Sequence, residues 1–221
     1  MPLLLANERE QIATFGRKLL EQGLTRGTSG NLSIFNRREQ LMAISPSGLD
    51  YLLTTAEDVV VTDLEGRIVD GARNPSSEWA LHAIIYRNRD DLSAAVHTHS
   101  PFSTVLSCLG WELPAIHYMI ALSGPTVRCA EYATFGTQQL AVNALAAMRD
   151  RNAVLLANHG LLTAGCDLAS AFHITAEIEF CAEIYWRCRS VGQPVLLDQA
   201  EMCLMKEKFR TYGQKKSDTE I

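Results

Sequence analysis

Two short apolar runs limit the folds open to this chain more than any other feature: "AAVHTH" (94–99) and "NAVLLANHG" (152–160). Both have strand length and carry apolar residues on successive positions, which suits strands covered on both sides. The first runs straight into "SPFSTVLSCLG", which reads as a helix, and the second breaks at a turn. Buried strands beside helices imply an α/β domain whose sheet is covered by helices.

The rest of the chain fits that frame. "NEREQIATFGRKLLEQG" places Ile12, Phe15, Leu19 and Leu20 at helical spacing, with Gly23 as a C-cap. "GNLSIFNRREQLMAIS" reads as two strands around a polar turn, and "DVVVTDLEGRIVDG" as a second hairpin. "SSEWALHAIIYRNRDD" is helical, with serines suited to an N-cap, and "QQLAVNALAAMRD" is helical too. The longest helix spans "DLASAFHITAEIEFCAEIYWRCRSVG", where Ala171, Ile174, Ile178, Cys181, Tyr185 and Cys188 form one stripe. A short helix and a polar tail close the chain over 198–221. With 221 residues, no repeat and no linker, residues 1–221 read as a single domain.

Composition excludes several classes of function. The chain is 47% hydrophobic with a net charge of −5, so it builds a core and offers no basic face to nucleic acid or anionic lipid. Its six cysteines show no CxxC pairing, which reads as reduced thiols. The opening "MPLLLANERE" lacks a basic n-region, and no apolar run reaches the roughly 18–20 residues of a membrane span. A cytoplasmic protein is expected.

The histidines bring in chemistry. His97 and His99 sit at i and i+2 of a strand and so share a face. His159 sits where the second buried strand breaks, and strand ends are where sites are assembled. These three suggest a transition-metal site, whereas mid-helix His82 and His173 read as structural. A cupin glutamate or a β-lactamase-like aspartate would follow the HxH pair, but Pro101, Phe102 and Ser103 stand there. The acidic candidate, Glu78, comes before it. Three loops, "RGTSGN" (26–31), "SPSG" (45–48) and "PSSE" (75–78), offer hydroxyls and backbone N–H groups, either as ordinary turns or as a phosphate cradle. All five lysines lie in the terminal segments, so a Schiff base has no candidate and carbon–carbon bond chemistry would need a metal as electron sink.

Taken in order, "GLTRGTSGNLS", "ISPSG", "PSSEW", "AAVHTHSPF", "PAIHYMIA", "YATFGT", "LLANHG" and "KFRTYG" resemble the class II aldolase/adducin family over nearly the whole chain. The resemblance implies a single-domain α/β/α fold around a mixed, largely antiparallel sheet, with the 198–221 helix and tail covering the active site. It implies one Zn2+ per subunit, or another divalent metal, held by Glu78, His97, His99 and His159. Glu78 would leave the metal when substrate arrives and act as acid/base. Phosphate would be bound by Asn31, Ser47, Gly48, Ser76 and Ser77. Tyr118 would donate a proton to the aldehyde oxygen from a neighbouring subunit of a homotetramer, and Phe135, Phe209 and Tyr212 would cover the aldehyde end.

The reaction so implied is retro-aldol cleavage of a ketose 1-phosphate to dihydroxyacetone phosphate and an aldehyde. The wording of the motifs is nearest to the family's enzymes for L-fuculose 1-phosphate, which gives lactaldehyde. The segment between Tyr118 and Phe135 is slightly shorter than in those enzymes, which would reshape the aldehyde pocket. Other readings stay open. An aldolase could act on 5-deoxyribulose 1-phosphate or 5-methylthioribulose 1-phosphate in a salvage pathway, and a dehydratase could act on the latter. A pentulose-5-phosphate 4-epimerase shares the fold but carries aspartate where Glu78 stands. A non-catalytic adducin-like head would have lost metal ligands that this chain keeps.

Overall fold

The computed structural model describes residues 3–212. Eight strands form one sheet: β1 (Asn31–Asn36), β2 (Leu41–Ile44), β3 (Val60–Thr62), β4 (Ile68–Asp70), β5 (Ala94–Thr98), β6 (Cys129–Ala130), β7 (Ala153–Leu156) and β8 (Gly160–Gly165). They lie in the order β4-β3-β2-β1-β5-β8-β7-β6. Every neighbouring pair is antiparallel except β6 and β7. The sheet is therefore mixed and largely antiparallel.

Strand alternation sorts the apolar side chains onto two covered faces. On one face α2 (Trp79–Asn88) and α4 (Gln138–Ala147) bury Leu81, Ile85 and Leu140 against Met42, Ile44, Val154 and Leu162. On the other, α1 (Ala6–Glu21) and the start of α5 (Leu168–Val191) bury Ile12, Leu19 and Phe172 against Leu32, Ala43, Val61 and Val96. Next to them, α3 (Pro101–Cys108), a 3₁₀ helix (Tyr118–Leu122) and α6 (Gln199–Phe209) pack Leu106, Ile120 and Met202 with α5 against Leu155 and Leu161. Each such buried Leu or Ile is worth about 2 kcal/mol over an exposed one. Leu161 and Leu162 go to opposite faces, so β8 is covered on both sides.

The helix read from "SSEW" onward starts later than the serine cap predicts. Glu78 occupies the N-cap position, and no side chain caps the helix. The preceding turn is held extended by pairing with the loop after β2: Ser76 N donates to Ser45 O (3.0 Å) and Ser47 N to Asn74 O (3.0 Å). Two-residue β6 and the 3₁₀ helix are too short to leave a periodic signal. Among the described residues no helix is long and apolar enough to cross a membrane. Of the 198–221 segment, residues 213–221 lie outside the described residues.

Candidate active site

β5 lies at the middle of the sheet, between β1 and β8, and its C-terminal end carries His97 and His99. His159 arrives from the β7–β8 turn, where Asn158 takes a left-handed conformation (φ 54°) that asparagine tolerates better than most residues. Two glycines let these segments close around the strand. Gly30 (φ 78°) is held where a Cβ would lie 2.6 Å from the His97 carbonyl oxygen, and a Cβ on Gly160 would run into the Thr98 carbonyl.

The three imidazoles offer nitrogen atoms within 4.8 Å of one another. His97 Nδ1 donates to the Leu161 carbonyl (2.9 Å), so its Nε2 carries a bare lone pair. That lone pair faces His99 Nε2 at 3.1 Å. Glu78 reaches in from the start of α2, with Oε2 3.4 Å from His97 Nε2 and Oε1 3.4 Å from His159 Nε2. Burial lowers the pKa of all three histidines, and for His97 and His99 the neighbouring His159 adds to it. They are thus neutral imidazoles near pH 7, the form that binds metal.

A metal fits this set. Glu78 Oε1 is buried and has no hydrogen-bond partner among the described residues, which costs energy unless a cation or a donor meets it. Neutral nitrogen donors with one carboxylate suit zinc and its borderline neighbours. The hydrogen bond from His97 to a backbone carbonyl is the support such ligands usually have.

A second layer holds the carboxylate. Asn31 Nδ2 donates to Glu78 Oε2 (3.0 Å), and His82 Nε2 lies 2.5 Å from Asn31 Oδ1. Behind it, Ser33 Oγ lies 2.6 Å from both His82 Nδ1 and the Tyr86 hydroxyl. Full burial lowers the His82 pKa to about 3. Glu179 of α5 accepts from Ser100 Oγ (2.8 Å), Phe102 N (2.7 Å) and Ser103 N (2.8 Å), fixing the chain just past His99 and capping α3. Reading the sequence missed both. His82 was detectable, since Glu78, His82 and Tyr86 repeat every four residues on one helix face. Glu179 had no local signal.

Other expected site residues divide between separate places. Ser47, Gly48 and Ser77 line a cavity of about 610 Å³ together with Arg73 and Asn74. Asn31 and Ser76 do not line it: Asn31 faces Glu78, and Ser76 Oγ accepts from Glu78 N (3.2 Å). A second cavity, of about 540 Å³, opens over the histidines and is lined by Glu78, His99, His159, Tyr132 and Phe135, with Thr28 and Ser29 at its side. Within one chain Tyr118, Phe209 and Tyr212 line neither. The Tyr118 and Phe209 rings stack at 6.2 Å, and Tyr212 meets Phe209 edge-on at 6.3 Å. Phe209 lines a third cavity, with Arg89 and Cys166, at the opposite end of β5 and β8.

Comparison with known proteins finds relatives over nearly the whole chain. The family described as Class II Aldolase and Adducin N-terminal domain matches residues 10–186. A "5-deoxy-D-ribulose 1-phosphate aldolase" of Bacillus thuringiensis serovar kurstaki is 54% identical over 96% of this chain and 100% of its own. A "5-methylthioribulose-1-phosphate/5-deoxyribulose-1-phosphate aldolase" of Rhodospirillum rubrum is 46% identical over 93% of this chain and 92% of its own. A solved structure named "L-fuculose 1-phosphate aldolase" superposes with a TM-score of 0.92 at 51% identity, covering 94% of this chain and 98% of that one. The chain belongs to the class II aldolase and adducin family.

Proposed function

We propose that the protein is a metal-dependent aldolase that cleaves 5-deoxyribulose 1-phosphate to dihydroxyacetone phosphate and acetaldehyde. The observation that carries the reaction type is the buried Glu78 carboxylate, with one unpartnered oxygen, set against three neutral imidazoles. The full-length 54% identity to a 5-deoxy-D-ribulose 1-phosphate aldolase favours the five-carbon sugar. A second reading, L-fuculose 1-phosphate cleaved to lactaldehyde, is favoured by the 51% identity to the solved fuculose enzyme. Both sugars end in a methyl group, which the apolar wall of Phe135 beside the histidine cavity suits.

In this reading His97, His99 and His159 hold a divalent ion, zinc being the expected one, with Glu78 as a fourth ligand before substrate enters. When bound, the ion supplies positive charge that draws electron density from the substrate's C2 carbonyl. Cleavage of the C3–C4 bond requires the C4 hydroxyl to lose a proton and C3 to gain one. Glu78 is the acid/base for this transfer, because its Oε1 has no competing donor among the described residues and Glu78 lines the histidine cavity. The Ser47, Gly48 and Ser77 cavity takes the phosphate, and Asn31 and Ser76 act from beside Glu78. Ser77 lines that cavity and the adjacent Glu78 lines the other, so the phosphate and the reacting carbons would be served by consecutive residues.

Tyr118 serves the C4 oxygen from a neighbouring copy in a homotetramer, and Phe209 and Tyr212 cover that neighbour's aldehyde end. The exposed aromatic cluster, separate from its own chain's histidines, supports this arrangement. The proposed compartment is the cytoplasm, with the six cysteines unpaired.

The test is a coupled assay of dihydroxyacetone phosphate release by zinc-loaded protein, run on both sugars with an EDTA-treated control. The expected result is a higher kcat/KM for 5-deoxyribulose 1-phosphate, lost with EDTA. A preference for L-fuculose 1-phosphate would transfer the assignment to that sugar. Release from neither would overturn the aldolase reading.

A further inference from the structure

We propose that His82 is a positioning residue: it locks the Asn31 carboxamide so that the two oxygens of Glu78 are made unequal, Oε2 hydrogen-bonded and Oε1 open. The proposal deepens the aldolase reading and rests on Glu78 being its acid/base.

The donor and acceptor roles along the chain of contacts follow from one fixed point. A carboxylate only accepts, so the Asn31 atom 3.0 Å from Glu78 Oε2 is its NH2. The Asn31 carbonyl then faces His82 Nε2 at 2.5 Å, and that nitrogen carries a proton. On the far side of the ring, His82 Nδ1 lies 2.6 Å from Ser33 Oγ, which in turn lies 2.6 Å from the Tyr86 hydroxyl. Tyr86 also donates to the Ser33 carbonyl (3.2 Å). Turning the Asn31 amide over would set its carbonyl against the carboxylate and its NH2 against an N–H. Both contacts repel, so the ring holds the amide in one orientation.

The arrangement is built into two regular elements. Glu78, His82 and Tyr86 fall at i, i+4 and i+8 from the N-cap of α2 to its last turn, while Asn31 and Ser33 fall at i and i+2 of β1. All five side chains are buried. A histidine that only filled space there could be an apolar residue, whereas this one is hydrogen-bonded at both nitrogens. The consequence lies at Glu78. Asn31 occupies Oε2, and among the described residues Oε1 has no donor on the side facing His159 and the cavity. A base needs a lone pair that is not already taken, and the relay reserves one.

His82 acts through Asn31 and touches no substrate, so its loss should fall on turnover. On zinc-loaded protein, His82→Leu is expected to lower kcat about 10- to 100-fold, the usual cost of removing such a supporting contact, with KM changed far less. His82→Gln, which offers an N–H toward Asn31 and an oxygen toward Ser33, is expected to recover most of that loss. A folded His82→Leu variant with unchanged kcat would overturn the proposal, as would a glutamine variant no better than leucine. If the leucine variant fails to fold, the unmutated protein decides. Nitrogen-15 NMR of the His82 ring in the metal-free and zinc-loaded protein is expected to place a proton on Nε2, and a ring protonated only at Nδ1 would refute the lock. A wild-type protein that cleaves neither sugar would count against the aldolase reading, while the NMR result would still decide the lock.

Discussion

At the histidine end of the sheet, His97 is fully buried and Glu78 is 7% exposed. At the corner where α6 meets the 3₁₀ helix, Tyr118 is 46% exposed and Tyr212 84%. The first region is finished within one chain: strand ends, a tight turn and a helix start converge, with His97 braced by the Leu161 carbonyl and Glu78 by Asn31. The second is a stack of aromatic rings on the outside of the molecule, braced mainly by one another. The difference teaches where rigidity is needed. In the proposed reading, ligands and an acid/base are held to a fraction of an ångström before substrate comes, whereas a proton donor meant for another copy stays accessible until the copies meet.

Glu78→Gln strikes the first region hardest. It is expected to lower kcat by about 10³-fold, or about 4 kcal/mol of barrier, with metal content by elemental analysis largely retained by three histidines. Normal cleavage by this variant would remove Glu78 from the acid/base role. Tyr118→Phe probes the second region, and a fall in kcat of about 10²-fold is expected with bound metal unchanged. Mixing Glu78→Gln and Tyr118→Phe subunits sharpens the contrast. Recovery of activity in the mixed oligomer is expected if the two regions meet between copies, and its absence would place both in one chain.

Gly160→Ala asks how tightly the first region is closed. The added methyl meets the Thr98 carbonyl, so a loss of about 1–3 kcal/mol in denaturant unfolding is expected, along with weaker metal retention. An unchanged midpoint would show that the hairpin yields easily. The last test is one of pH on the metal-free protein. Burial holds His82 at about 3 and lowers His97, His99 and His159 below their ordinary value. The unfolded chain therefore binds the extra protons. The stabilisation is complete above the unfolded value of about 6.5 and falls toward pH 3, by about 1.4 kcal/mol per pH unit for each proton. A flat profile of unfolding free energy over that window would contradict the burial of these rings.

Much of this was legible in the sequence because it depends on local periodicity. The HxH pair shares a face by strand alternation, and "NAVLLANHG" announces a buried strand and the turn that carries His159. The helices on both faces follow from their apolar stripes. What escaped was set by pairing across the chain. Ser76 and Ser77 read as a helix cap, yet backbone bonds from this turn to Ser45 and Ser47 hold it extended. Glu179 braces the residues after His99 from 79 positions away, a relation that no spacing rule encodes. His82 read as structural: its alignment with Glu78 and Tyr86 on one helix face was there in the sequence, but what stands opposite it on β1 was not.

The central position of β5 has a kinetic consequence. His97 pairs with Asn31 on one side and Leu162 on the other, so the chain must close two loops, each of some 65 residues, before the first ligand is seated. Contacts so distant in sequence form slowly. During refolding, the histidine cluster should therefore be among the last features to mature, and uptake of a spectroscopically visible divalent ion would time the completion of the sheet rather than its beginning.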